Sequence, residues 1–362
     1  MTNDQMTNHR TTESPSHPIA IYPYLLQPRA REMVWGGRNL ARLLDKVIAP
    51  EQRIGESWEA WEGCVIENGA EHGAALGDLL ARDAAAILGA PAHGNRFPLL
   101  FKFIDAQQDL SVQVHPDDAA AQKIENYLFG KTEAWYVLNA EPGACLIHGF
   151  KDDVDAARVK EFLAKNRLQD LLAFVPVQRG DVVFVPAGTV HAIMKGIVLV
   201  EIQENSDITY RLYDWGREDA NRSLHIEPSL RVLNFGRQTD HKIPSLTIRH
   251  AEFDQHYLVA CKYFSLELLD VRAPIERIAL NDKFNIVSLI EGAVEIVCES
   301  SRVAAARGQT LVLPARLGAF GIAPQTTPCK LLRMYVPDLR AEVIEPLTRA
   351  GHRAADIARL VR

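Results

Sequence analysis

Three polar side chains recur at every second position of one short run: Ser111, Gln113 and His115 in LSVQVHPDD. In a strand that spacing sends all three to one face and leaves Leu110, Val112 and Val114 on the other, the pattern of a wall that lines a site. Pro116 stops the run, and Asp117 can cap the helical pattern DDAAAQKIENYL behind it. After Gly130 the β-rich run KTEAWYVL puts Lys131 and Glu133 on a common face by the same period. An imidazole, an amide oxygen and a carboxylate on neighbouring strands are donors that suit zinc or another divalent first-row metal. Taken singly, each residue has a blander role: a histidine in a β-protein ordinarily satisfies a neighbouring group, and a lysine at a strand start is ordinarily solvated. Their joint occurrence between Phe97 and Glu133 carries the functional reading.

The elements that must position these groups are mostly strands. IAIYPYLLQPRAREMVWGGRNLARLL joins a strand-like start to a Gly36-Gly37 turn and a short helix, IGESWEAWEG reads as a strand with one polar face, and GDLLARDAAAILGA reads as a helix ending at Gly89. Beyond the turn at Glu141-Pro142-Gly143, the segment from Lys151 to Leu172 changes to a helical period, with Val154, Ala157, Phe162, Leu168, Leu171 and Leu172 forming an apolar stripe over a sheet. Short β-runs return up to Trp215 and again from about Ile243 to Val336, and DLRAEVIEPLTRAGHRAADIARLVR closes the chain with helical periodicity that can pack back on the strands.

Length and charge narrow the class. A chain of 362 residues with a formal charge of −6 and interspersed signs has room for two domains and shows no basic surface for nucleic acid or anionic membrane. The polar N-terminus lacks an apolar h-region, and no window is apolar over a membrane's thickness, so a cytoplasmic protein with a disordered tail over 1–18 is expected. The five cysteines, Cys64, Cys145, Cys261, Cys298 and Cys329, are widely spaced and form no CxxC pair, which disfavours a disulfide framework and a cysteine-rich metal site.

An internal repeat organises the rest. Gly180 and Pro186 bracket DVVFV as Gly308 and Pro314 bracket QTLVL, each followed by Ala, and EPGACL around Gly143 is echoed by IEGAVEI around Gly292. Two related barrels in tandem account for this, the first interrupted by the helical piece. Only the first copy has a histidine after its proline, His191, so only the first barrel is expected to be chemically equipped.

GDVVFVPAGTVH, over Gly180, Pro186, Gly188 and His191, fits the second cupin motif, G-x5-P-x-G-x2-H. Gln113-Val114-His115 takes the place of the first cupin motif's H-x-H. Together with LLFKFIDAQQDLSVQVHPDD, GKTEAWYVL, TYRLYDWGR, VWGG, IGESWE and LHIEPSL, the chain resembles the type I mannose-6-phosphate isomerases in their short bacterial form, over roughly Tyr22 to Tyr335. The resemblance implies a mainly β fold of two tandem cupin (jelly-roll) barrels with a helical insertion and peripheral helices: a metal-binding domain over 19–240, a degenerate cupin domain over 241–336 and a C-terminal helix over 337–362. It implies one zinc ion per chain, held by Gln113, His115, Glu133 and His191. It places the family's catalytic arginine on Arg211, further active-site groups on Lys131 and Glu201, and phosphate recognition on Ser111 and Lys102. The implied partner is a small hexose phosphate, with oligomeric state left open.

The implied reaction interconverts mannose 6-phosphate and fructose 6-phosphate through a cis-enediol. Both Glu201 and Lys131 qualify as the base that reaches the carbon-bound proton, whereas Arg211 stays charged at neutral pH and can only stabilise negative oxygen. For Arg211 the competing role is a salt bridge to Asp207 or Asp214. His148, His225, His9 and His17 read as structural or surface groups, and Trp35, Trp58 and Trp61 as core aromatics that could also wall the sugar site. Two other classes are weighed against the isomerase: a non-catalytic cupin sugar-binding or regulatory protein, and an iron-dependent cupin oxygenase, for which the additional Gln113 is unsuited.

Overall fold

A computed structural model describes residues 18–89, 95–217 and 222–362. The 1–18 tail expected from composition therefore falls almost wholly outside the described residues. The rest is mainly antiparallel β structure arranged as two barrels.

The first barrel closes a six-stranded sheet over a five-stranded one. The six strands run in the order Val182–Val185, Glu133–Ala140, Ile197–Glu204, Leu99–Ala106, Ile54–Ala60, Arg29–Gly37. The five run Tyr210–Tyr213, Val112–Val114, His191–Ile193, Cys145–Phe150, Leu172–Pro176. Period-two alternation divides each strand between two destinations. In Ile197–Glu204 the odd-numbered Ile197 and Leu199 enter the barrel core with Trp35, Ile104, Trp135 and Val137, while Val198, Val200 and Ile202 pack between the barrels. Both faces are buried, so the run IVLVEIQE looks uniformly apolar in sequence although Glu201 lies on the inward face.

The helical insertion forms Ala156–Ala164 and a single 3-10 turn, Leu168–Leu171. Leu168 and Leu171, with Val154 and Phe162 half-buried beside them, cover the outside of the five-stranded sheet as the apolar stripe predicts, whereas Ala157, assigned to that stripe, is exposed and Val159 takes the buried place. Leu172, assigned to that stripe, instead begins a strand paired with Cys145–Phe150. A further helix, Ile226–Val232, covers the same sheet. Its seven residues with a proline in the first turn carry too little periodicity to be read from sequence.

The second barrel contains an eight-stranded and a four-stranded sheet around Leu269, Val287, Leu289, Leu311, Phe320 and Leu331. The repeat is visible in its register: Val185 pairs with Glu133 in the first barrel, and Leu313 pairs with Asn285 in the second. An amide thus occupies the position where the first barrel has a carboxylate, and nearby interior positions hold Ile278, Leu280 and Phe320. The strand Tyr24–Gln27, within the 19–240 range, pairs with Thr310–Leu313 of the second barrel. The C-terminal stretch is three short helical segments rather than one helix: Leu339–Ile344 with π-helical hydrogen bonding, Glu345–Arg349 and Ala354–Leu360. It does return to the barrel, where the Arg362 amide donates to the Ala260 carbonyl at 2.8 Å.

Candidate active site

The inward faces of the first barrel are apolar toward one end and ionisable toward the other. At the ionisable end, His115, Glu133 and His191 present ligand atoms that all lie within 4.8 Å of one another. His115 Nε2 is 3.6 Å from Glu133 Oε2 and His191 Nε2 is 3.4 Å from Glu133 Oε1. Local backbone geometry sets each ring. His115 Nδ1 lies 2.8 Å from the Ile208 carbonyl and His191 Nδ1 lies 2.9 Å from that of Thr189. A carbonyl only accepts, so each ring carries its proton on Nδ1 and turns a lone pair on Nε2 to the cluster. Burial, and then the Lys131 ammonium, lowers both rings, His115 well below its usual range and His191 to about 3, so both are neutral donors.

The turn that delivers His191 needs its glycine. Gly188 has φ of +86°, and a Cβ there would come 2.9 Å from the Val232 carbonyl oxygen. Its amide donates to the His115 carbonyl at 2.9 Å, so the two histidine-bearing strands are tied at the turn itself.

These groups fit a divalent cation. Glu133 Oε1 is buried without a hydrogen-bond partner among the described residues. Burial, and then the like charge of Glu201, pushes Glu133 up to about 7, so the site is short of positive charge. The Lys131 ammonium sits among the ligand atoms, 3.0 Å from His115 Nε2 and in contact with Glu133 Oε2, so a cation is already what these atoms surround. The Gln113 amide lies 3.3 Å from His191 Nε2, and turning it about its terminal torsion presents the oxygen there. Two neutral imidazoles, one carboxylate and an amide oxygen are an acceptable set for zinc.

Above the triad opens a cavity of about 330 Å³, near the small end of the usual range for ligand pockets. Lys102, Ser111, Gln113, Lys131, Glu201 and Arg211 line it. All nine residues singled out in the sequence therefore converge, six on the cavity wall and three immediately beneath. Lys102, only 3% exposed, lies 3.1 Å from Glu201 Oε1, and the Trp135 indole N–H donates to Glu201 Oε2 at 3.0 Å. Burial alone would raise Glu201, but Lys131 and then Lys102 more than reverse this and hold it at about 2. It is an anion at any physiological pH.

Arg211 is not engaged as the sequence alternative supposed. Asp214 pairs with Arg217 at 3.1 Å and Arg222 at 2.8 Å, and Asp207 with Arg31 at 3.2 Å. The Arg211 guanidinium donates to the Ser223 carbonyl at 2.9 Å, and its backbone N–H donates to His225 Nδ1 at 3.2 Å. His225, read from sequence as structural or surface, lines the cavity, as do Glu56, Arg31, Asp207 and Arg222. Glu56 could have been found from the polar face of its strand; Arg222 and His225 follow the last strand of the barrel, where no period marks them. Trp35 walls the cavity and fills the core at once, at 2% exposure. A second cavity, of about 360 Å³ and lined by Leu26, Leu40, Lys46 and Arg307 among others, contains none of these groups.

Comparison with known proteins points the same way. The family model for the phosphomannose isomerase type I catalytic domain matches residues 24–145, and that for the mannose-6-phosphate isomerase cupin domain matches residues 254–336. The chain is 35% identical to mannose-6-phosphate isomerase ManA of Bacillus subtilis over 312 residues, 82% of this chain and 95% of that one. It is 34% identical to a mannose-6-phosphate isomerase of Streptococcus mutans over 299 residues, 81% and 92% of the two chains. The crystal structure of the mannose 6-phosphate isomerase from Bacillus subtilis superposes with a TM-score of 0.79 at 30% identity, covering 86% of this chain and 99% of that one. With one family model over the stretch that carries Gln113, His115 and Glu133, the other over the second barrel, and identity sustained along nearly the whole of these relatives, the chain belongs to the type I phosphomannose isomerases.

Proposed function

We propose that this chain interconverts mannose 6-phosphate and fructose 6-phosphate through a cis-enediol, with one zinc ion per chain held by Gln113, His115, Glu133 and His191. The observation that carries the reading is the convergence of a cation-fitting donor set with Lys131, Glu201 and Arg211 on one cavity, in a relative of ManA. When bound, the divalent ion supplies Lewis-acid charge at the C1–C2 end of the sugar.

The chain's own residues divide the remaining work. Glu201, the group held deprotonated, takes the proton from carbon and returns it to the neighbouring carbon. Its carboxylate lines the cavity and is held by Lys102 and Trp135 on opposite oxygens. Lys131, 4.0 Å from Glu201 Oε1, gives a proton to one enediol oxygen and takes one back from the other, and its positive charge opposes the negative charge that develops there. Arg211 opposes the developing negative charge from the far wall. The cavity wall carries five cationic side chains (Arg31, Lys102, Lys131, Arg211, Arg222) against three carboxylates (Glu56, Glu201, Asp207), a balance that suits a phosphate dianion. Ser111 and Lys102 are assigned to receive that phosphate.

The test is turnover of mannose 6-phosphate coupled to detection of fructose 6-phosphate. Activity should disappear on chelation, return with zinc, and be lost in His191→Ala. Full activity in His191→Ala or after exhaustive chelation would overturn the proposal.

A further inference from the structure

Glu204 ends the strand that carries Glu201, is 1% exposed, and has no part in the chemistry above. Its Oε2 accepts from the Thr132 amide at 2.8 Å, and its own amide donates to the Thr132 carbonyl at 3.2 Å. Its other oxygen, Oε1, is buried and meets no donor among the described residues. The group beside it is a second carboxyl, Asp118, in hydrogen-bonding contact. Asp118 Oδ1 in turn accepts from the Gly130 amide at 2.8 Å, and its Oδ2 accepts from the hydroxyl of Tyr263, in the second barrel, at 3.0 Å. The two amides that flank Lys131 thus end on two carboxyls that touch each other. Gly130 is also pressed on the Asp117–Asp118 backbone so closely that a Cβ would come 2.5 Å from the Asp117 carbonyl carbon.

Two acceptors cannot hydrogen-bond to each other without a proton between them. We infer that Glu204 and Asp118 share one proton and act as a single clamp on the Gly130–Glu133 segment, so that Glu204 is a positioning residue for Lys131 and Glu133 and Tyr263 couples the second barrel to the site. The charge environment agrees. Burial, and then the contact with Asp118, pushes Glu204 up to about 8, while Asp118, despite partial burial, is lowered by its bonds from Glu204, Gly130 and Tyr263. Glu204 therefore carries the proton at neutral pH and Asp118 the charge.

The clamp is tested with Glu204→Gln and Glu204→Ala in the full-length, zinc-loaded protein. Gln can accept from Thr132 through its oxygen and donate to Asp118 through its nitrogen, reproducing the protonated carboxyl; Ala can do neither. Two readouts are followed: hydrogen exchange at the amides of 130–132, and kcat and KM for mannose 6-phosphate. Ala should speed exchange there at least about tenfold, and lower kcat by roughly 10- to 100-fold through misplacement of Lys131 and Glu133, with KM within about threefold. Gln should stay within about threefold of the parent in all three quantities. Tyr263→Phe, which keeps the ring, should also speed exchange at Gly130 and decides the matter if Glu204→Ala does not fold. Parental exchange rates in Glu204→Ala, or in Tyr263→Phe if the alanine variant is unfolded, would overturn the clamp. So would damage in Glu204→Gln equal to that in Glu204→Ala. The kinetic arm rests on the isomerase reading, whereas the exchange arm does not: a parent protein without turnover would end that reading and still leave the clamp decided by exchange.

Discussion

Replacing Lys102 with methionine isolates the buried ion pair at the centre of the site. In the parent, Glu201 is lowered from an ordinary 4.5 to about 2. Its folded value lies below its unfolded one, so it contributes stability above pH 4.5 that is lost as pH falls toward 2. Lys102, raised by Glu201 despite its burial, agrees in direction. Lys102→Met leaves the carboxylate with Trp135 at 3.0 Å and Lys131 at 4.0 Å. Breaking a buried pair in this way costs about 3–5 kcal/mol while the orphan stays charged. With one of its two opposing cations gone, the folded pKa of Glu201 moves up from its parent value, while Lys131, the larger opposing charge, still favours the anion. The stability that Glu201 contributes above its unfolded pKa is then smaller than in the parent, so the cost of the substitution should shrink as both proteins are acidified from about pH 8 toward about pH 3, where that contribution is lost in either. Urea unfolding of parent and variant at both pH values measures this. The double variant Lys102→Met/Glu201→Gln should recover about 2 kcal/mol or more at pH 8, because the orphan charge is gone. A destabilisation below about 1 kcal/mol, or one identical at about pH 3 and pH 8, would refute the reasoning.

Gly188→Ala puts a side chain at positive φ against the Val232 carbonyl, and should cost about 1–3 kcal/mol in thermal unfolding and weaken zinc binding by displacing His191. Trp135→Phe keeps the aromatic core and deletes the donor to Glu201 Oε2, which should cost about 1–3 kcal/mol by denaturant titration. His225→Ala frees the strand that carries Arg211 and should lower kcat about tenfold while leaving metal content at one ion per chain, read by steady-state kinetics and elemental analysis.

The donor triad was legible because strands impose a two-residue period and the Gly180–His191 motif fixes a turn. Those local rules place His115, Glu133 and His191 inward without knowledge of the rest of the chain. What lies between the elements was not legible. Tyr24–Gln27 reads as a strand, but nothing local says that its partner is Thr310–Leu313, almost three hundred residues away. Glu201 was found only by resemblance, since a strand buried on both faces shows no alternation. The phosphate role of Lys102 comes from resemblance alone, and its contact with Glu201 arises from cross-strand register, where Glu201 stands directly opposite Lys102. Arg222, His225 and Glu204 act through turns and tertiary contacts that leave no period in the sequence.

Anomalous diffraction at the zinc edge, from crystals of the protein grown with zinc, tests the central proposal most directly. One peak per chain is expected, about 2.0–2.2 Å from His115 Nε2, His191 Nε2 and a Glu133 oxygen, with the Gln113 oxygen completing the set and Lys131 displaced from among them. A peak bound by other residues, or a catalytically active crystal with no peak between these four side chains, would contradict it.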